Sequence, residues 1–561
     1  MSQIEPTVSS PELPRAQPLA VPWILPLAVV AVACALPLIG LWRAPGPPME
    51  EGFMLVFPEL VLEGEVPNRD FLHLYGPGSL WALAGTFKVF GTALATERAV
   101  GFLQQLGVVF GVLTLLRPWG RWVAAAGAAM TAVIVVPPIG LTALAWTGGL
   151  ALAVWALNSA LVAQAQPAGS ARRRRILVVA GLLAGAALLY RPDLVVAIAL
   201  AAAVLWRRLE RGDRLRLAAA TAVGVSPYVV HVAMAGAGNV VEGLVLEPVF
   251  ELRAGRSLPF PPSWSEFDGF LQRAGALIEP SWPLPAPPTP AQLTLWLGLL
   301  LAANAALVVA GVRAARRGDP GLLAMALFSV GLLPQAIQRA DSTHLAWVSC
   351  VPLGLLPAAV VEAQRAWRPC WRGQRTAVVA AAVPVVATLA LAPTFVWGTY
   401  ADYVGRSFGV SELEAGTIRR GDRAFHYGRL DAVAAVNDRL PEVERISEPG
   451  DSLFVGTGDL RKTPYSEAFL YHLLPELEPA TQYIEMDPGL ANADDSGMAD
   501  ELRKADIVIL SSIRDDWDEP NDSREFGPSE PNEVIDEDFC LVDSYGTGVS
   551  GRGLYELYRQ C

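Results

Sequence analysis

Lysine is almost missing from this chain. Only Lys88, Lys462 and Lys504 occur among 561 residues. Charge of any kind is sparse as well, at 17% of residues, where a soluble domain carries about 25%. The five cysteines (Cys34, Cys350, Cys370, Cys540 and Cys561) form no CxxC pair and no Cys/His spacing suited to zinc, so no structural zinc site is expected. The charge that exists is divided unevenly. Residues 1–397 hold 28 basic and 21 acidic residues, a net of +7, and residues 398–561 hold 15 and 34, a net of −19. The overall −12 argues against a nucleic-acid partner, because phosphate neutralisation needs clustered cations. Arginine and alanine in place of lysine point to a GC-rich bacterial genome and say nothing of mechanism.

What the chain does have is apolar length. A membrane-crossing helix needs about 20 mostly apolar residues. Candidate stretches lie near 19–42, 97–117, 121–137, 143–164, 176–190, 194–206, 215–235, 291–312, 320–337, 344–362 and 376–397. These predict a polytopic α-helical membrane protein with about eleven spans. A further apolar stretch at 79–95 reads as re-entrant or interfacial. The first run is too long for a cleaved signal and reads as a retained helix. Residues 1–18, rich in proline, read as a disordered tail.

Arginines set the expected orientation. With the N-terminus inside, the loops 117–121, 165–175, 206–216, 313–319 and 362–375 all fall on the cytoplasmic side, and each carries two or more arginines. The transmembrane domain is thus 19–397, in the plasma membrane, with a first outer loop at 43–96 and a long outer loop at 236–290. The acidic region 398–561 is expected outside. There, Ser452–Gly456, Thr481–Glu485 and Asp506–Ser511 read as strands. Ser466–Leu474 and Ala499–Ala505 read as helices, and Phe539–Tyr545 with Leu554–Tyr558 as a hairpin centred near Ser550–Gly551. That makes a small α/β domain with an acidic loop near 515–538. Cys540 and Cys561 flank the hairpin; a disulfide and two free thiols are both open.

The first outer loop concentrates chemistry. It reads Pro48-Met49-Glu50-Glu51-Gly52-Phe53, then Glu63-Gly64-Glu65-Val66-Pro67-Asn68-Arg69-Asp70-Phe71-Leu72-His73-Leu74-Tyr75-Gly76-Pro77-Gly78, and ends at Glu97-Arg98. Charges beside a membrane are costly to desolvate, so they tend to be paired or functional. Two further turns carry charge: Arg191-Pro192-Asp193, and Gln338-Arg339-Ala340-Asp341-Ser342-Thr343-His344.

In these segments the chain resembles GT-C glycosyltransferases, the polyprenyl-phosphate-sugar-dependent enzymes related to protein O-mannosyltransferases and lipid A aminoarabinose transferases. The resemblance covers roughly residues 20–350. It implies a catalytic acidic pair in the first loop, with Glu50 at the position where the family has Asp and Glu51 at its Glu position; which of the two is the base stays open. Asp70 matches a further acidic position and is a third catalytic candidate. It places Arg69, Arg98, Arg191, Arg339 and His344 toward the donor phosphate, and His73, Tyr75, Asp193 and Asp341 near substrate. The implied partners are a polyprenyl-phosphate-linked sugar, an extracytoplasmic acceptor and the lipid bilayer. The family includes metal-dependent and metal-independent members, so a divalent cation stays open, including at the cluster Asp515, Asp516, Asp518, Glu519 and Asp522, whose plainer reading is a solvated, disordered loop.

Each residue also has a plainer reading. Glu50 and Glu51 could be a solvated pair, and Asp70 a helix cap. Arg191 and Arg339 could pair with Asp193 and Asp341, and Arg98 with Glu97 or Glu50. His73, Tyr75 and His344 could simply pack at the interface. A flippase for lipid-linked sugars and a non-catalytic envelope-assembly protein are the competing functions. Against a transporter, no internal repeat is visible.

Overall fold

The computed structural model describes residues 23–367, 374–548 and 552–561. The expected tail at 1–18 and the hairpin centre at Ser550–Gly551 lie outside the described residues, as do Arg368 and Arg372. Each of the eleven apolar stretches is largely helical over its described residues. Among the described residues eight helices are long and apolar enough to cross a membrane, fewer than the eleven spans expected. A ninth crossing is counted if Arg375–Leu391 and Pro393–Ser407, bent by 108° at their break, form one span. Proline at the start of the second half fits that break, since it cannot extend a preceding helix. The other two stretches are Ala171–Tyr190, which opens on four arginines, and the short Pro192–Trp206. The stretch expected to be re-entrant or interfacial forms the 13-residue helix Gly78–Phe90.

Small residues let these helices approach closely. A Cβ on Gly181 would sit 2.6 Å from the Ala220 side chain, and one on Gly185 would sit 2.4 Å from the Thr221 carbonyl. Helices Ala171–Tyr190 and Arg211–Val225 therefore pack backbone to backbone. Apolar side chains such as Val229 and Val178 are left exposed on the bundle's flank, as a bilayer solvent requires.

The connections sort to two ends. At one, Glu362 accepts from Trp119 Nε1 at 2.9 Å and pairs with Arg317 and Arg365, while Arg208 reaches the Gly318 carbonyl and Arg173 pairs with Asp213 at 2.6 Å. These are the arginine-rich loops. At the other, the Gly76 N–H donates to Tyr190 O at 3.1 Å, Leu258 N–H to Gln338 O at 3.0 Å and Leu72 N–H to Gln482 O at 2.9 Å. The first loop, the Arg191 turn, the long loop, the Arg339 turn and the C-terminal domain thus meet at one end.

That domain holds two sheets. Strands β1 (Gly416–Arg420) and β2 (Arg423–Tyr427) form an antiparallel hairpin. Strands β3 (Ser452–Thr457), β4 (Glu478–Pro479), β5 (Ile507–Ser511), β6 (Phe539–Tyr545) and β7 (Tyr555–Gln560) form a second sheet in the order β4-β3-β5-β7-β6. The β4-β3-β5 part is parallel, and β7 and β6 add antiparallel. Strand β5 is buried along its whole length, which is why it reads as a continuous apolar run. A disulfide joins Cys540 to Cys561.

The expected strand Thr481–Glu485 is not one. Its backbone serves the first loop through the Leu72–Gln482 bond, and Thr481 Oγ1 accepts from the Tyr483 N–H. Asp522–Arg524 and Glu530–Asp538 are helical turns within the expected acidic loop.

Candidate functional site

Two prolines start the site. Pro47 is extended and Pro48 opens the helix Pro48–Glu63, proline being well suited to the first helical position. Glu50 and Glu51 follow in its first turn. Consecutive helical residues point about 100° apart, so adjacent carboxylates take different environments.

Glu51 is fully buried. Arg98 Nε and Nη2 donate to its two carboxylate oxygens at 2.8 and 2.9 Å, and Nη1 donates to the Trp42 carbonyl at 2.6 Å. The pair is packed so tightly that a Cβ on Gly46 would lie 2.4 Å from the Glu51 carboxyl carbon. Arg98 therefore pairs with neither Glu97 nor Glu50. Its guanidinium is committed to Glu51 and does not reach the cavity that Glu50 lines.

Glu50 faces that cavity, a small space partly open to solvent. The long loop supplies an apolar wall that includes Phe270, Leu271 and Trp282. The 338–344 turn supplies Asp341 and His344, and the C-terminal domain supplies Arg514. Glu50 Oε2 is buried with no hydrogen-bond partner among the described residues. Burial pushes the Glu50 carboxyl above the ordinary glutamate range, against the opposing pull of Arg514, Arg256 and His344. A carboxylate in this state is a stronger base than one in water.

Asp341 accepts both the backbone N–H and ring Nδ1 of His344 at 2.9 Å. Burial raises the Asp341 carboxyl, but the charges and hydrogen bonds of His344 and the charge of Arg339 outweigh it and hold the group below its usual range. Nδ1 is thus the donor to an ionised carboxylate. Nε2 carries no hydrogen bond to a described residue.

The other expected residues stand apart from the cavity. Arg339 is held by both oxygens of Glu519 at 2.7 and 2.9 Å and by the Arg256 carbonyl, with Asp341 3.5 Å away. It supports the Asp341 turn rather than lining the space. Glu519 itself is buried, so that part of the acidic cluster is not a solvated loop. Arg191 forks onto Asp193 at 2.9 and 2.8 Å and lies over the rings of Tyr75 and Trp146. Asp193 also accepts from Gln335 at 2.6 Å. Arg69 and Asp70 pair with each other at 2.8 and 2.6 Å, and Asp70 accepts the Val66 N–H, closing a tight turn. His73 is buried between Phe57 and Tyr75, where burial drives its ring down to about 3.

Several residues of the site were not anticipated from sequence. Arg514 follows β5, and its Nε stands 3.4 Å from Glu467. Arg256, from the long loop, pairs with Asp487 and Glu485 and lies over the Tyr465 ring. Burial and the charge of Glu50 raise Glu485 to about 7, against the pull of Arg256. Among the described residues, no group of three or more His, Cys, Asp or Glu is placed to hold a metal ion, and Asp518 is paired with Arg524.

No protein-family model matches this chain, and no curated protein matches it significantly. Solved structures do. ArnT from Cupriavidus metallidurans, solved bound to undecaprenyl phosphate, superposes with a TM-score of 0.50 at 14% identity, over 95% of this chain and 97% of that one. The archaeal oligosaccharyltransferase AglB from Archaeoglobus fulgidus, solved with an inhibitory peptide and a dolichol-phosphate, gives 0.47 at 12% identity over 88% and 70%. The mycobacterial arabinofuranosyltransferase AftD gives 0.42 at 16% identity over 95% and 41%. The likeness to ArnT over nearly the whole of both chains shows the fold. This is a polytopic membrane protein of the GT-C fold with a C-terminal sheet domain.

Proposed function

We propose that this chain is a membrane glycosyltransferase that moves a sugar from a polyprenyl-phosphate donor to a hydroxyl-bearing acceptor outside the cytoplasm. The observation that carries this reading is the cavity in which Glu50, the Asp341–His344 pair and Arg514 face one another. The GT-C fold and the undecaprenyl phosphate bound to ArnT support the donor class. The arginine loops at the far end of the bundle support an outward-facing site, since cytoplasmic loops carry the excess of Lys and Arg.

In this mechanism the acceptor hydroxyl oxygen attacks the anomeric carbon. Its proton passes to the Glu50 carboxylate as the new C–O bond forms. The bond from the anomeric carbon to the phosphate oxygen breaks, and its electron pair leaves with the polyprenyl phosphate. One displacement inverts the anomeric centre. Ionised Asp341 fixes the His344 ring and its tautomer, so that Nε2 meets the substrate in a set orientation. The apolar wall of Phe270, Leu271 and Trp282 limits water, which would otherwise hydrolyse the donor.

Purified full-length protein is incubated with a panel of undecaprenyl-phosphate hexoses and pentoses and cell-envelope acceptors, and products are read by mass spectrometry and anomeric NMR. Transfer with inversion is expected from the wild type and not from Glu50→Gln. Retention of configuration would overturn the single-displacement mechanism. Transport of the lipid-linked sugar with no transfer to any acceptor would favour a flippase.

A further inference from the structure

Among the described residues that line the cavity, the arginine is Arg514. Arg98 is forked by Glu51, Arg191 by Asp193, and Arg339 by Glu519, each through two hydrogen bonds. Arg256 pairs with Asp487. Buried nitrogens without a hydrogen-bond partner occur on Arg256, Arg339 and Arg514 alike, and of these arginines Arg514 is the one that lines the cavity, with its nearest approach to Glu467 at 3.4 Å. Glu467 is already shared, since it accepts from the Tyr427 hydroxyl at 3.0 Å. Arg514 is nonetheless buried, with its side chain 4% exposed, in the wall that Glu50 faces.

A guanidinium has five N–H donors in a planar fork that matches two phosphate oxygens. Burying one with donors unused is costly, unless an anion completes the shell. The backbone setting agrees. Arg514 lies just beyond the carboxyl end of β5, beside the parallel neighbour β3, and ligands of parallel sheets sit outside the carboxyl ends of strands.

We infer that Arg514 of the C-terminal domain binds the phosphate of the polyprenyl donor, so that the donor site is closed jointly by the membrane domain and the soluble domain. This rests on the glycosyl-transfer reading and deepens it. Base and leaving-group cation then face one cavity from different domains. Glu50 takes the acceptor proton, and Arg514 meets the charge that grows on the departing phosphate. The soluble domain is accordingly part of the donor site and not only a platform for acceptor.

The test is binding of undecaprenyl phosphate to the full-length protein in nanodiscs, with undecaprenol as the uncharged comparator. The variants are Arg514→Gln, Arg514→Lys and the double variant Arg514→Gln/Glu467→Gln, which leaves no orphaned carboxylate if the single change impairs folding. Arg503→Gln, on the surface of the same domain, is the control. Folding is followed by thermal melting. The expected result is a loss of about 10- to 100-fold in affinity for undecaprenyl phosphate in both Arg514→Gln proteins, a smaller loss in Arg514→Lys, and unchanged binding of undecaprenol. Wild-type affinity in a folded Arg514→Gln protein, single or double, overturns the inference. So does an equal loss for undecaprenol, which would mark a structural role. Displacement of the lipid by excess inorganic phosphate would assign the site to a free anion. If the wild type binds undecaprenyl phosphate no better than undecaprenol, the glycosyl-transfer reading falls with it. If Glu50→Gln still transfers sugar while Arg514→Gln fails to bind donor, only the assignment of the base is lost.

Discussion

Glu51 and Arg98, 47 positions apart in sequence, form a bidentate ion pair that water does not reach. That pair separates the roles of two adjacent glutamates. Glu50→Gln is expected to lower transfer by about 10²- to 10⁴-fold, the usual worth of a general base, with melting unchanged. Glu51→Gln leaves a buried arginine unpaired and is expected to cost about 3–5 kcal/mol of stability. Melting curves and turnover on the two variants check this; equal effects of both substitutions on both readouts would refute the division.

The pH profile follows from the direction of the Glu50 shift. Its folded-state value lies above 4.5 because burial opposes ionisation. A base acts deprotonated, so transfer is expected to fall as pH drops through that raised value, and the acid limb should lie above the ordinary glutamate range. Arg514 acts to lower the Glu50 value. Arg514→Gln should therefore move the limb to higher pH, as read from residual turnover at saturating donor.

Glu485 makes stability depend on pH. Its value rises from 4.5 to about 7 in the folded protein, so the fold favours the protonated acid. The stabilisation is complete below the unfolded value and is lost as pH rises through the folded one. Wild-type melting temperature should decline between about pH 5 and 8. Glu485→Gln should decline less, and parallel curves for the two proteins would contradict this.

The Cys540–Cys561 bridge closes a segment of 21 residues around the β6–β7 hairpin. Loop-closure entropy assigns such a bridge about 3 kcal/mol. The Cys540→Ser/Cys561→Ser protein should melt lower than the wild type and lose its response to reductant. Turnover per folded molecule should persist, because β6 is the outer strand of the sheet and lies away from the cavity.

Sidedness is read by labelling. Arg174 and Asp500 are both exposed, one in an arginine loop and one in the C-terminal domain. In intact cells, an impermeant maleimide should label Asp500→Cys directly and Arg174→Cys only after permeabilisation. The reverse pattern would invert the proposed orientation.

The membrane bundle is legible in the sequence because a bilayer imposes length and polarity on every span; each apolar stretch is largely helical over its described residues, and eight or nine of the helices are long and apolar enough to cross. The grouping of the first loop, the Arg191 turn and the Arg339–His344 turn at one end was legible for a related reason. Arginines concentrate in alternate connections, so the remaining connections must share the opposite end. In the C-terminal domain, β3 and β5 stand out as apolar runs buried on both faces. The hairpin of β1 and β2 does not, since Gly416–Arg420 and Arg423–Tyr427 are short and carry three arginines between them.

What only the tertiary structure decided is which charges neutralise one another. Sequence placed Glu50 and Glu51 together, and helix geometry turned one into the cavity and the other onto Arg98. Arg339 reads from sequence as a phosphate ligand until Glu519, 180 residues later, is seen forked against it. Arg514 carries no local motif, and only its place beyond the end of a parallel strand hints at a ligand. Span and sidedness follow from local composition against the bilayer. The charge left over in the cavity depends on pairings between distant segments, which no local pattern encodes.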